Sequence, residues 1–298
     1  LGGALSVVSL TAATLFVVRH RLEKTCRRVP LSSLPRSSAC RNFVENSASA
    51  TTSVSPKAWG LDQTRLLPSW PPGEDRGPIT HWIPSFVAVQ MDLPEEILSA
   101  NSRIPETSGD VLPLAKSLLA AFLDARAAGP EPWILDRDVP SLSFAPGHRL
   151  FGVTPEPGAF LLGTWSNVSG EHIDPLAVPD SAPRPVAAFP SNRELVKQGG
   201  SEVPAAGSVL YWRAGQVGVK LLDWVAGLAF PEGGFQELIV ERVADGKVRV
   251  SYVSAEVTTC RQEEGQKEQS ELRRLPWPLY ELHVMYAQSL LAGAARQL

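Results

Sequence analysis

The clearest alternation of apolar and polar positions runs from residue 235 to residue 257, on both sides of Asp245-Gly246. This pattern predicts a β-hairpin that turns at these two residues. A two-residue loop would place Glu241 opposite Val250 and would mix charged with apolar side chains on one face. A three-residue loop with Gly246 in the left-handed conformation shifts the register by one and separates the two faces. The predicted cross-strand pairs are then Leu238 with Tyr252, Val240 with Val250, and Glu241 with Arg249.

Two segments show the spacing of three and four residues that is typical of a helix with one buried face. The first spans residues 110–128, can be capped by Ser108 or Asp110 and ends before Gly129-Pro130. Arg126 is expected to end its apolar stripe, which consists of Leu112, Ala115, Leu119, Phe122 and Leu123. The second helix closes the chain over residues 278–298. Its predicted buried face comprises Leu279, Leu282, Tyr286, Leu290 and Ala294, widened by Val284, Leu291 and Leu298.

Shorter apolar runs between turn residues complete the predicted elements. Strands are predicted over residues 85–91, 149–154, 159–165 and 208–213, the second and third of them joined as a hairpin. Residues 216–230 have apolar positions at helical spacing and predict a short helix. The expected fold class is α+β, with a curved antiparallel sheet packed on a long C-terminal helix.

The first 18 residues carry no charge, and Arg19, Arg21, Lys24, Arg27 and Arg28 follow at once. Eighteen helical residues span roughly 27 Å, about the thickness of a bilayer core. Positive charge after the apolar run favours an uncleaved transmembrane helix, with the bulk of the chain in the cytosol. An alternative is mitochondrial targeting, because residues 19–56 are rich in Arg and Ser and contain two acidic residues. The predicted organisation is an anchor (1–18), a basic and then Ser/Pro-rich linker (19–77) and one domain (78–298).

Composition excludes several classes of function. A formal net charge of −3 without a dense basic face argues against a nucleic-acid partner. Three cysteines (Cys26, Cys40 and Cys260) are too few for a disulfide framework or a zinc site, so free thiols are expected, with a Cys26–Cys40 disulfide as the alternative. The chain has no phosphate-binding glycine loop, metal motif or nucleophile elbow, so no cofactor, metal ion or catalytic residue is predicted.

Individual polar residues on the predicted elements have simple structural interpretations. His283 lies beside Leu282 on the last helix and is expected to be a hydrogen-bonded packing residue. Glu237 and Glu241 fall on the charged face of the hairpin, where we expect solvent and ion pairs with Arg249 and Lys247. Four aromatic residues on elements expected to face one another attract more attention, namely Trp165, Trp212, Tyr252 and Tyr286. They either fill a core or line a cavity for an apolar ligand with a few polar groups.

The order of elements resembles a helix-grip domain of the START-like, polyketide-cyclase-like superfamily, and within it a membrane-tethered domain family of unknown function. The resemblance covers about residues 80–298. It rests on the hairpin GGFQELIVERVADGKVRVSYVSAEV and on the closing segment LPWPLYELHVMYAQSLLAGAARQL, with Tyr286 and Arg296. It implies a curved sheet that grips the C-terminal helix around an apolar cavity. Relatives in this superfamily bind lipids, sterols or polyketides, and some are enzymes.

The expected function is therefore a membrane-anchored binding domain for an apolar small molecule or lipid. The alternatives are a cyclase-like enzyme of secondary metabolism and an interaction domain with a filled core. The candidate ligand-binding residues are Trp165, Trp212, Leu238, Val240, Val250, Tyr252, Leu282 and Tyr286.

Overall fold

A computed structural model defines the fold over residues 17–46, 53–54, 64–67, 79–100, 109–128, 158–169, 203–213, 233–261 and 277–298. The helices are α1 (residues 17–25), α2 (Ala39–Asn46), α3 (Glu95–Ala100), α4 (Leu112–Ala127) and α5 (Trp277–Gln297), with a 3-10 turn at Leu31–Ser33. The strands are β1 (Arg27–Arg28), β2 (Ser53–Val54), β3 (Thr64–Leu67), β4 (Ile79–Pro94), β5 (Gly158–Ser166), β6 (Ala205–Arg213), β7 (Gly233–Val243) and β8 (Lys247–Arg261).

The strands form one antiparallel sheet in the order β2-β3-β4-β8-β7-β6-β5. Its centre is the long pair β4–β8, and two short strands share the other edge of β4. Strand β3 pairs with its first part at Trp82, and β1 pairs with its second part at Gln90. The α+β class, the antiparallel sheet and the long C-terminal helix are as predicted. Strands β4, β5 and β6 contain the predicted strands at 85–91, 159–165 and 208–213.

The hairpin has the predicted register. Leu238 pairs with Tyr252, Val240 with Val250, and Glu241 with Arg249. Three residues, 244–246, separate the strands, and Gly246 is left-handed with φ 66°. Asp245 has the same φ, which was not predicted, but a short acidic side chain tolerates this conformation better than most.

Helices α4 and α5 cover one side of the sheet, which we call the helix face. Since alternate residues of a strand share a face, Val87 and Val89 of β4 lie on it with Leu238, Val250 and Tyr252. These residues form one buried apolar cluster with the two helices. The predicted stripe of α4 is entirely buried, as expected. Arg126 does not end the buried surface, because its side chain is itself buried at the C-terminal end of α4.

The buried side of α5 differs from the predicted one. Its buried apolar positions are Tyr280, Val284, Ala287, Leu290, Leu291, Ala292 and Ala294, whereas Leu279 and Leu282 are exposed. The predicted face was therefore wrong at Leu279 and Leu282, which are exposed. It was right at Val284, Leu290, Leu291 and Ala294, and Tyr286 and Leu298 are partly buried. The physical reason is that α5 is apolar over most of its circumference. More than one stripe at helical spacing exists on such a helix, so periodicity alone does not decide which one packs.

The opposite side of the sheet is covered by part of the predicted linker. Residues 26–42, which we call the N-terminal arm, pass the edge of β4 and pack on this side, the arm face. Val29 N donates to Ala88 O at 3.0 Å, and Leu34, Ala39 and Cys40 are buried. These residues therefore belong to the folded domain, although the sequence predicted a linker. Cys26 and Cys40 are both buried and free, as expected.

Several predictions fall outside the described residues. They are the strand at 149–154 with its hairpin, the helix at 216–230 and nearly all of the anchor at 1–18. Within the part of the chain that the structure covers, no helix combines the length and the hydrophobicity needed to cross a bilayer.

Candidate functional site

A row of polar side chains crosses the helix face near the first turns of α5. Gln236 of β7 and Ser254 of β8 are cross-strand partners, and Glu256 follows two residues later on the same side of β8. Arg126 reaches this row from the end of α4, and His283 reaches it from the start of α5. We call these five residues the polar row.

Each helix contributes a polar contact to the row. Arg126 Nη1 donates to Gln236 Oε1 at 3.1 Å, and its guanidinium carbon lies 5.7 Å from the centre of the Phe122 ring. His283 Nδ1 lies 3.3 Å from Glu256 Oε1, with both side chains mostly buried. The expectation that His283 is a hydrogen-bonded packing residue agrees with this contact. The register places Ser254 beside Gln236 and before Glu256, between the two pairs.

Two serine hydroxyls of the helix face lack a hydrogen-bond partner within the described part of the chain. They are Ser254 Oγ, in a residue that is 1 % exposed, and Ser208 Oγ on β6, one strand beyond Gln236. On the arm face, the cross-strand partners Gln90 and Ser251 also have a polar atom without a partner among these residues. A buried hydroxyl without a partner costs about 1–3 kcal/mol, so such groups require an explanation.

An apolar wall continues from the polar row along the sheet. Leu238, Val240, Val250 and Tyr252, four of the candidate ligand-binding residues, are all buried in one cluster. The Tyr252 ring stacks on Phe122 of α4, with 5.3 Å between centroids and 28° between planes. The helix face thus presents a largely apolar wall with hydrogen-bonding groups at one end.

Of the other four candidate residues, Trp165 and Leu282 lie away from this wall. Trp165 lies on the arm face and Leu282 points away from the sheet with 51 % exposure. Tyr286 is partly buried at the margin of the core. Trp212 lies in β6, and its side chain is outside the described part of the structure. Trp165 is therefore on a different surface from Tyr252, whereas Tyr286 packs against the core cluster that contains Tyr252.

The arm face holds a buried carboxylate that fastens the N-terminal arm. Glu237 is 0 % exposed, and its oxygens accept hydrogen bonds from four groups. The donors are Ser38 Oγ (2.6 Å), Ala39 N (2.8 Å), Cys40 N (2.9 Å) and Trp165 Nε1 (2.7 Å). Two of them are backbone amides in the first turn of α2, where a negative charge is favourable. Burial raises the pKa of Glu237 above its ordinary value, although all four hydrogen bonds act in the opposite direction.

This contact corrects the sequence interpretation of both glutamates. Glu237 was expected in solvent, and Glu241 was expected to pair with Arg249. Both are buried, and Arg249 Nε donates to Asp92 Oδ1 at 3.0 Å. The alternation of the strand was read correctly, but the arm that covers the charged side was not anticipated, because its sequence resembles a linker.

Gly207 provides the space for the Trp165 ring. The two residues are cross-strand partners, and a Cβ atom on Gly207 would lie 2.6 Å from Trp165 Nε1. No side chain fits there without displacing the indole that donates to Glu237. Glycine at this position is therefore required by a close approach rather than by its backbone conformation.

No protein family, curated protein or solved structure matches this chain. The resemblance to the helix-grip superfamily accordingly stays a prediction. The function has to be inferred from the geometry of the two faces of the sheet.

Sequence reasoning overlooked the polar row, although a signal for it exists. Gln236 and Ser254 occupy positions with the same parity as Leu238 and Tyr252, on strands whose other residues of that parity are mainly apolar. A polar residue at a core position of a strand marks either a buried hydrogen bond or a site. Arg126 at the end of an apolar stripe carries the same kind of signal.

Proposed function

We propose that the chain is a binding domain for an amphipathic apolar small molecule such as a lipid, with the polar end of the ligand at the polar row. The observation that supports this most directly is the position of Ser254. Its buried hydroxyl has no hydrogen-bond partner among the described residues, and it lies between two polar pairs at the end of an apolar wall.

The chemistry of the helix face fits such a ligand. Small-molecule sites are mostly apolar and carry a few polar groups that fix the orientation of the ligand. Leu238, Val250 and Tyr252 would contact the apolar part, and Ser254 would hydrogen-bond an oxygen of the polar end. That bond would remove the cost of the unpartnered hydroxyl, which gives the site a preference for amphipathic over purely apolar molecules.

The anchor predicted for residues 1–18 supports a ligand drawn from a membrane. A tether of this kind raises the local concentration of the domain near lipid without any additional contact. The uncharged run and the basic residues that follow it are the basis of this part of the proposal.

The pair Glu256–His283 is the observation in favour of an enzyme. A carboxylate that contacts an imidazole nitrogen is the arrangement that orients a general base. A serine nucleophile would need its hydroxyl within hydrogen-bond reach of that base. Ser254 Oγ makes no hydrogen bond to His283 or to any other described residue, so the binding function is the better supported of the two.

The proposal is tested by extracting the purified full-length chain with organic solvent and identifying released molecules by mass spectrometry. A stoichiometric amphiphile is expected. Uptake of a dansyl-labelled fatty acid by the emptied protein then gives an affinity for variants. Ser254→Ala should weaken binding roughly 3- to 10-fold, the equivalent of one hydrogen bond.

Ser251→Ala is the matched control, because Ser251 is equally buried on the same strand and also lacks a hydroxyl partner among the described residues, but it lies on the arm face. Its affinity for the probe should equal that of the unmodified chain. A protein that yields no amphiphile and takes up no probe would refute the proposal and favour the interaction domain with a filled core. Turnover of an amphipathic substrate that is lost in Glu256→Gln would favour the enzyme.

A further inference from the structure

Exposed apolar side chains are concentrated at one end of the molecule. Of the seven large apolar side chains that are exposed in the described part of the chain, five lie at the first described residues of α1 or in the first two turns of α5. They are Val17, Val18, Trp277, Leu279 and Leu282, which we call the helix-start surface. The remaining two, Val168 and Val203, lie elsewhere.

The two groups of residues lie at the same end of the molecule because α1 and α5 are held side by side. Arg19 Nη2 lies 3.1 Å from Glu281 Oε2, which places Val17 and Val18 level with the first two turns of α5. One turn further along α1, Glu23 Oε2 accepts from Gln288 Nε2 at 2.7 Å. Earlier residues of α1 contact earlier residues of α5, so the two helices run in the same direction.

A second contact fixes this arrangement to the sheet. Arg28, in the strand that follows α1, donates from both terminal nitrogens to Glu281, at 3.2 Å and 3.1 Å. Its guanidinium also lies over the Tyr280 ring, 5.6 Å from the centroid. Two hydrogen bonds in a fork hold the two groups in one orientation, so this pair connects the first turns of α5 to β1 at the edge of the sheet.

We propose that the helix-start surface lies on a lipid bilayer. The uncharged run of residues 1–18 ends within it, at Val17 and Val18. Trp277 is 46 % exposed at its margin, and tryptophan is enriched where hydrocarbon meets headgroups. Arg21 and Lys24 are exposed on α1, where they complement anionic headgroups. A bilayer explains why an uncharged run and exposed cations are next to this surface. Contact with a protein partner would explain neither feature.

The contact orients the domain on the membrane. His283 directly follows Leu282, so the polar row lies at the end of the sheet nearest the bilayer. Val203 lies at the other end, because the neighbouring Pro204 O accepts from Arg242 N beside the β7–β8 turn. The distance along β8 between these ends is on the order of 25 Å. In this orientation the proposed ligand would pass directly from the bilayer to the polar row, a route that rests on the proposed function. The bilayer contact itself does not depend on the proposed function.

The test places one fluorescent NBD label on the full-length chain, at Leu282→Cys or at Val203→Cys, in a Cys260→Ser background where Cys26 and Cys40 are buried. The two labelled positions are matched, since Leu282 is 51 % and Val203 is 50 % exposed. The chain is incorporated into vesicles of phosphatidylcholine and phosphatidylserine with brominated acyl chains. Bromolipid should quench the label at position 282 several-fold more than the label at 203, and circular dichroism checks that both variants fold.

Three outcomes would overturn the proposal. They are equal quenching at both positions, a chain that does not float with the vesicles, and a spectral shift at 282 that depends on protein concentration and needs no lipid. The last outcome would identify a protein interface. Mass spectrometry of the same preparations reports the bound amphiphile separately, so a failure of the ligand proposal is distinguishable from a failure of the bilayer contact.

Discussion

Replacement of Glu237 tests whether the N-terminal arm is part of the folded domain. In Glu237→Ala the donors from Ser38, Ala39, Cys40 and Trp165 lose their common acceptor. Each buried donor left without a partner costs about 1–3 kcal/mol, and removal of a buried charge recovers part of this sum. We expect a net loss of about 3–5 kcal/mol, a large share of the 5–15 kcal/mol that is typical of a domain.

Glu237→Gln is the gentler variant and keeps the shape of the side chain. Its amide oxygen still accepts hydrogen bonds, but its amide nitrogen faces donors that it cannot satisfy. The expected loss is about 1–3 kcal/mol. Urea unfolding followed by circular dichroism measures both variants, and Asp92→Ala, which breaks an exposed ion pair with Arg249, should cost at most about 1 kcal/mol.

Arm release has its own readout in the reactivity of Cys40. The thiol is buried beside Glu237, and this burial raises its pKa, so it should react slowly with a thiol reagent in the native chain. In Glu237→Ala the rate should rise well before global unfolding, because the arm detaches while the helix face stays packed. If Glu237→Ala changes neither the unfolding free energy by more than about 1 kcal/mol nor the Cys40 rate, the reasoning is refuted.

Four further outcomes follow from the structure. The folded state of Glu237 binds its proton more tightly than the unfolded state, because burial raises its pKa. The stability from this group is therefore present below about pH 4.3 and is lost as pH rises through the raised pKa. The unfolding free energy of Glu237→Gln, measured across this pH range, should not show this decrease. Gly207→Ala should destabilise the chain by about 1–3 kcal/mol and change the near-ultraviolet signal of Trp165, and an unchanged signal would contradict the close approach. Cys26, whose pKa burial raises to about 12, should be alkylated at pH 8 only after unfolding, as peptide mapping would show. Arg28→Ala should lower the unfolding free energy in urea by only about 1 kcal/mol, because the ion pair of Arg28 with Glu281 is partly exposed. The same variant should increase hydrogen exchange in α1.

The hairpin shows how far local pattern determines structure. Strict alternation distinguishes the two sides of a strand, and a slip of one residue would have put Glu241 among apolar groups, so the register and the loop length followed from the sequence. The stripe of α4 followed for the same reason, since helical spacing defined one side with few polar interruptions.

Tertiary structure decided which part of the chain covers each side of the sheet and of the helices. The sequence of β7 determined that Glu237 lies on the side opposite Leu238, but only packing decided that the N-terminal arm covers that side and turns the carboxylate into a buried acceptor. In α5 several stripes satisfied helical spacing, and the stripe that packs leaves Leu282 exposed and brings Glu281 into contact with Arg19 of α1 and Arg28 of β1. Periodicity records which residues share a side of an element. It contains no information on what the rest of the chain places against that side, and both the polar row and the helix-start surface exist only through such placement.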